Sequence, residues 1–250
     1  MQTAIHNDNQ RIHPPLFIPI GLRPNKKASS TIRSHGSFVD IPTITSHHSW
    51  KWHTLLVKEF LDIIGAFLIL LFTLPLMASI AVAIKLSSAG PVFYRSRRVG
   101  RCGEVFTCYK FRTMIVDAEH YQEVLRKQNE RSGPFFKIAN DPRVTQFGRF
   151  LRKFSLDELP QLWNVLRGDM SLVGPRPHPL DDVLRYQSEH LRRLDVTPGM
   201  TGLWQVTARR DPSFHTNMVL DLQYINNRSL WLDLKILAKT VSAVLEGTGS

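Results

Sequence analysis

Arg152-Lys-Phe-Ser-Leu-Asp-Glu-Leu-Pro-Gln-Leu-Trp-Asn-Val-Leu-Arg-Gly-Asp-Met-Ser-Leu-Val-Gly-Pro-Arg-Pro177 sets neighbouring carboxylates, Asp157 and Glu158, among or beside the cations Arg149, Arg152, Lys153, Arg167 and Arg176. Adjacent carboxylates in a cationic field suit chemistry on phosphate. One carboxylate can attack phosphorus or help hold Mg²⁺ while guanidinium groups grip the phosphate oxygens. The same residues also read as a helix start. Ser155-Leu-Asp-Glu158 has the capping-box pattern, with Ser155 as N-cap and Glu158 three positions on. Leu159, Leu162, Trp163 and Leu166 follow at i, i+3, i+4 and i+7, which predicts an amphipathic helix, although Pro160 falls near its first turn. Caps are commoner than catalytic dyads, so spacing alone favours the structural reading. The two are compatible, because a helix N-terminus is itself an anion site.

The whole chain leans the same way. Its 250 residues carry a net charge of +11 and 43% hydrophobic content, so a core is affordable and the natural partners are anionic. The cysteines, Cys102 and Cys108, form neither a disulfide framework nor a zinc pattern. Walker A, G-x-G-x-x-G, H-E-x-x-H and G-x-S-x-G patterns are absent.

Upstream, Ile63 to Ile84 is a run of 22 residues without a charge. At 1.5 Å per residue it reaches roughly 33 Å, enough to cross the hydrocarbon core. Pro75 interrupts it, and its flanks are basic on both sides: Lys51 and Lys58 before, Lys85, Arg95, Arg97, Arg98 and Arg101 after. The positive-inside rule asks for both flanks in the cytoplasm, which a helix that bends at Pro75 and returns satisfies. Proline is tolerated in true spans, so a spanning helix stays open on physics alone. Asp62 needs a partner at this depth, and Lys58 lies at i−4. Residues 1–50 read as a polar, disordered leader, without the n-region and h-region of a signal peptide. The expected divisions are that leader, a membrane-embedded helix hairpin over 51–88, and a catalytic unit over 89–250.

Beyond the membrane run, Pro91–Arg95 and Val105–Arg112 read as a hairpin ending in the basic Lys110-Phe-Arg112. That segment is either an interfacial basic patch or a phosphate clamp. Residues 116–131 read as mostly helical, 180–194 as a helix, 203–207 as a strand, and 214–227 and 230–245 as helices.

Three segments carry a resemblance: GPVFYRSRRVGRCGEVFTCYKFRTM (90–114), DPRVTQFGRFLRKFSLDELPQLWNVLRGDMSLVGPRP (141–177) and TPGMTGLWQVTARR (197–210). The chain resembles the bacterial sugar transferases, the monotopic polyprenyl-phosphate hexose-1-phosphate transferases, from about Lys58 to Gly247. The resemblance implies an α+β, mainly helical fold, with a re-entrant, Pro75-broken membrane helix, amphipathic interfacial helices and a small β-hairpin. It implies transfer of a sugar 1-phosphate from a UDP-sugar to undecaprenyl phosphate with release of UMP. That is the first membrane step towards exopolysaccharide, capsule or O-antigen, at the cytoplasmic face of the bacterial inner membrane, with downstream glycosyltransferases as partners. It further implies that Asp157 is the nucleophile of a covalent aspartyl-phosphosugar intermediate, that Glu158 assists, and that Mg²⁺ binds at the pair. Lys110 and Arg152 match phosphate-binding positions and Arg176 the Pro-Arg-Pro loop; Arg112 belongs to the same basic segment as Lys110. The Pro-Arg-Pro-His178 context resembles members that use UDP-glucose or UDP-galactose. Glu59 departs from the pattern, where members often carry Arg. In having a polar leader before the membrane run, the chain resembles the small, minimal kind. The rival expectation, from charge alone, is a non-enzymatic membrane-anchored module that binds acidic lipid or nucleic acid; the resemblance implies no nucleic acid.

Overall fold

The computed structural model describes residues 30–34, 37–41, 52–130, 133 and 136–247. The leader expected over 1–50 therefore lies outside the described residues, apart from two strands. Ser30–Ser34 (β1) and Ser37–Ile41 (β2) pair antiparallel.

Trp52–Ser87 (α1) is a helix of 36 residues with Pro75 inside it, long and apolar enough to cross a membrane. The helix is not interrupted at Pro75. Around the proline, hydroxyls supply local bonds: Thr73 donates to the Ile69 carbonyl (2.7 Å) and Ser79 to the Pro75 carbonyl (3.0 Å). Such back-bonding tends to bend a helix. Burial falls on both sides of Pro75, at Asp62 and Ala66 and again at Ile80 and Ile84. Between them the helix is apolar and open, with Phe72 80% exposed. The charged end is tied in. Lys58 Nζ lies 3.4 Å from Asp62 and 2.7 Å from Asp233, and Asp62 accepts from the Ser171 hydroxyl (2.7 Å) and the Leu172 amide (3.3 Å). The i−4 pair expected from sequence is present, with a second carboxylate sharing the same lysine.

Phe93–Val99 (β3) and Val105–Phe111 (β4) form the expected antiparallel hairpin. Residues 116–131 are less helical than their polarity suggested. Asp117 adopts a left-handed φ of 61°, which breaks any helix there, and only Gln122–Leu125 (α2) and a 3₁₀ turn at Arg126–Gln128 form. Gln146–Lys153 (α3) is capped by Thr145, whose hydroxyl accepts from the Gly148 amide at 2.9 Å.

The expected capping box at Ser155 is corrected. Ser155 takes a left-handed φ of 55° and makes no side-chain cap; Leu156–Glu158 is a 3₁₀ turn, and the helix begins only at Gln161–Leu166 (α4). Pro160 is the reason. It lacks an N–H and fixes φ, so it suits the edge of a helix and not its interior.

Ser171–Val173 (β5) pairs in parallel with Gly199–Thr201 (β6). Between them, 180–194 is not one helix. Leu180–Val183 (α5) is followed by a separate 3₁₀ segment, Ser188–Asp195, opened by a reciprocal cap between Gln187 and His190. The strand expected at 203–207 is the helix Leu203–Thr207 (α6). Leu203 and Val206 both pack on the main core, and their i, i+3 spacing fits a helical face; tertiary packing overrides the strand-like composition. Phe214–Asn227 (α7) and Leu230–Leu245 (α8) form as expected.

The main core joins Ala66 of α1 to Leu162, Leu172, Ile225 and Ile236. A second joins Ile80 and Ile84 to Phe111 and Leu151. Leu159 packs against both. Both halves of α1 thus rest on one unit, which is mostly helical and carries small two-stranded sheets.

Candidate active site

The turn between α3 and α4 exists because three neighbours hold it. Arg209 donates to the Ser155 hydroxyl at 3.2 and 3.3 Å, fixing the left-handed residue. Arg152 Nε donates to the Thr113 hydroxyl at 2.9 Å, tying α3 to the end of the hairpin. Gly148 allows that approach, because a Cβ there would stand 2.1 Å from the Thr113 carbonyl oxygen. The 3₁₀ turn then presents Asp157 and Glu158 to a cavity of about 1040 Å³, lined also by Arg98, Lys110, Arg152, Arg176, Arg209 and Arg210.

Glu158 is clamped. Lys110 Nζ lies 2.7 Å from one oxygen, and Arg176 donates to both, at 2.5 and 3.2 Å. Burial opposes its charge, but Arg176 and Lys110 outweigh burial and hold its pKa well below the usual carboxylate range. Asp157 is 8% exposed, and among the described residues no group donates a hydrogen bond to its carboxylate. Burial pushes its pKa up, Lys110 pulls against that, and the Glu158 charge adds to the rise. The turn therefore offers one fixed anion and one free, poorly solvated carboxylate facing cations. A free carboxylate in such a place can act as nucleophile.

Arg176 is placed through its own backbone. Arg193 donates to the Arg176 carbonyl at 2.7 Å and pairs with Asp221 at 2.7 Å, both partners buried. The same guanidinium reaches His178 and Tyr186. From the other side, Arg98 donates to the Pro177 carbonyl at 3.2 Å and the Val99 amide to the His178 carbonyl at 3.0 Å. The loop can leave β5 only because Gly174 and Gly199 touch backbone to backbone; a Cβ on Gly199 would stand 2.0 Å from the Gly174 nitrogen.

A family description, bacterial sugar transferase, matches residues 53–247. The chain belongs to the bacterial sugar transferase family. It is 46% identical over 202 residues to the galactosyl transferase CpsE of Streptococcus agalactiae, covering 80% of this chain and 45% of that one. It is 45% identical over 202 residues to an undecaprenyl-phosphate galactose phosphotransferase of Salmonella typhimurium, covering 78% and 41%. With the exopolysaccharide production protein ExoY of Rhizobium meliloti it shares 44% over 199 residues, covering 78% and 88%. The chain thus spans less than half the length of the first two relatives and most of the third.

In this chain the residues expected at the site separate into two groups. Lys110 and Arg176 meet at Glu158, and the Arg152 charge faces Asp157. Arg112 shares the cavity wall but turns away from the pair. It donates to the Ser88 carbonyl and hydroxyl, both at 2.8 Å, and so braces the end of α1. Arg98, Arg193 and Arg209 hold the site and were not singled out from sequence. The bonds that tie them to the site run to groups many positions away, the Pro177 carbonyl for Arg98, the Arg176 carbonyl and Asp221 for Arg193 and the Ser155 hydroxyl for Arg209, so no local spacing marks them. Among the described residues no cluster of three or more His, Cys, Asp or Glu could hold a metal by itself.

Proposed function

We propose that the protein transfers a sugar 1-phosphate from a UDP-hexose to undecaprenyl phosphate, in two displacements at Asp157. The carrying observation is the contrast between Glu158, bonded by Lys110 and Arg176, and Asp157, buried in the same cationic cavity without a hydrogen-bond donor among the described residues. In the first step an Asp157 oxygen attacks the phosphorus that bears the sugar. The bond from that phosphorus to the UMP oxygen breaks, and UMP leaves with the electron pair. In the second, an oxygen of the prenyl phosphate attacks the same phosphorus, and the bond to Asp157 breaks to regenerate the carboxylate. The sugar's own C–O bond survives both steps. Lys110, Arg152 and Arg176 stabilise charge on the phosphoryl oxygens, which supplies most of the catalysis in phosphoryl transfer.

The donor set fits Mg²⁺ in the way that cation prefers, through one or two carboxylates completed by substrate phosphates. Asp157 and Glu158 would hold it, and it would neutralise charge on the diphosphate when bound. Of the expected donors, UDP-glucose and UDP-galactose, the relatives named for galactose support UDP-galactose. The relative named for exopolysaccharide production supports a role early in polysaccharide synthesis, ahead of further glycosyltransferases.

The membrane reading is that α1 enters from the cytoplasmic face and returns to it. It is supported by burial at Asp62 and Ala66 and at Ile80 and Ile84 against one unit, by the exposed apolar middle, and by basic residues on both flanks.

Intact-mass analysis tests the chemistry. Detergent-held protein with Mg²⁺ and UDP-hexoses, without lipid acceptor, should gain one hexose phosphate, and Asp157→Asn should not. Turnover with acceptor but no mass gain in its absence would replace the two-step path by direct transfer.

A further inference from the structure

The cavity that holds Asp157 is not cationic throughout. Pro91, Phe93, Ile115 and Val116 also line it. Phe93, Ile115 and Val116 are 46%, 43% and 49% exposed, so this wall is apolar and uncovered. It adjoins the end of the membrane helix. Gly90 lies three residues beyond Ser87, has a left-handed φ of 114°, and a Cβ on it would stand 2.3 Å from Arg112 Nη1 and 2.9 Å from Val116 Cγ2, so the strip meets α1 beside the guanidinium that braces the helix end. Phe93 is fixed by stacking on Phe111, with ring centroids 5.4 Å apart and planes 17° apart. Ile115 is fixed by its amide, which donates to the Arg143 carbonyl at 2.9 Å. The strip is therefore a built wall between the cationic floor and the C-terminal end of α1.

We infer that this strip seats the first isoprene units of the acceptor lipid, with its phosphate directed towards Asp157. The inference rests on the transferase reading and goes further by naming the acceptor's place. Two properties of the wall select the occupant. A nucleotide sugar is polar along most of its length, whereas a prenyl phosphate joins an anion to a branched apolar chain, the same order in which the cavity joins cations to apolar side chains. The strip also begins three residues beyond the end of the apolar helix, so a lipid tail lying along that helix has a short path to the site. Burying a branched apolar unit against such a wall is favourable by the usual transfer argument.

The test separates the donor and acceptor halves. Ile115→Glu and Val116→Glu are made beside Val124→Glu, which places the same charge at an apolar residue 76% exposed and outside the cavity lining. In detergent, each protein is given a UDP-hexose and prenyl phosphates of two and of eleven isoprene units, and hexose-phosphate loading without acceptor is measured in parallel. The expected result is a KM for both prenyl phosphates raised about tenfold in Ile115→Glu and Val116→Glu, with loading unchanged and with Val124→Glu close to the parent. Three outcomes would overturn the inference. Impaired loading would give the strip to the donor. An equal effect of Val124→Glu would make it a general membrane contact. An unchanged acceptor KM in both glutamate variants would leave it no part in acceptor binding. Failure of the parent reading is seen elsewhere, in unaltered protein that releases no UMP with either acceptor.

Discussion

Asp157 and Glu158 are joined by one peptide bond, yet their charges meet different surroundings. Glu158 is met by Lys110 and Arg176, while Asp157 is desolvated without a hydrogen-bond donor among the described residues. For an aspartate whose folded pKa is raised, stability falls as pH climbs from the unfolded pKa through the folded one, and above that window the ionised side chain remains a standing cost. Asp157→Asn should therefore be inactive and yet melt at a higher temperature than the parent at pH 7, with the gap closing as pH falls towards the unfolded value. Thermal unfolding across that range checks it, and an equal or lower melting temperature at pH 7 would refute it. For the same reason the acid limb of kcat/KM should lie above the ordinary aspartate range, because the proposed nucleophile must be ionised. The acidic pair and the cations Arg152 and Arg176 were visible in sequence because they lie in one short stretch of the chain. What separated the two roles was not visible, since Lys110 is 48 residues from Glu158.

At the scale of elements, α3 is set by one missing side chain. Gly148 lies against the Thr113 carbonyl so closely that Gly148→Ala must push α3 away from the hairpin. The expected loss is about 1–3 kcal/mol of stability, read from chemical unfolding. Activity should fall further than stability requires, because the Arg152–Thr113 bond spans the same contact. The long apolar helix α1 gives a second test. In a Cys102→Ser background, His53→Cys and Ala89→Cys place thiols at exposed positions on either side of the apolar run. A re-entrant helix exposes both to an impermeant maleimide from the cytoplasmic face alone, whereas labelling from opposite faces would establish a span. Sequence located this helix and the two C-terminal ones because they are long and apolar or strongly periodic. It misjudged 203–207 and 180–194, where segments of a few residues take their form from the core and from Arg193.

Across the whole molecule, the site depends on an ion pair that touches no acidic residue of the turn. Arg193, held by Asp221, carries the Arg176 carbonyl, and Arg176 carries Glu158. A double-mutant cycle resolves this coupling. Arg193→Gln with Asp221→Asn removes the pair without leaving a buried charge alone. If the pair acts by positioning, that change and Arg176→Gln should each lower kcat/KM, the latter about a hundredfold, and their combination should be no worse than Arg176→Gln alone. Losses that simply multiply would assign Arg193 and Asp221 to the fold and nothing more. The acidic pair, the apolar run with its central proline, the hairpin and the basic balance were all determined by sequence, since each is a property of neighbouring residues and their periodicity. Tertiary structure alone decided which carboxylate lacks a hydrogen-bond donor among the described residues, which cations clamp its neighbour, and how an apolar wall meets a cationic floor. Those depend on contacts between residues tens of positions apart, whose formation is governed by packing and desolvation rather than by local spacing.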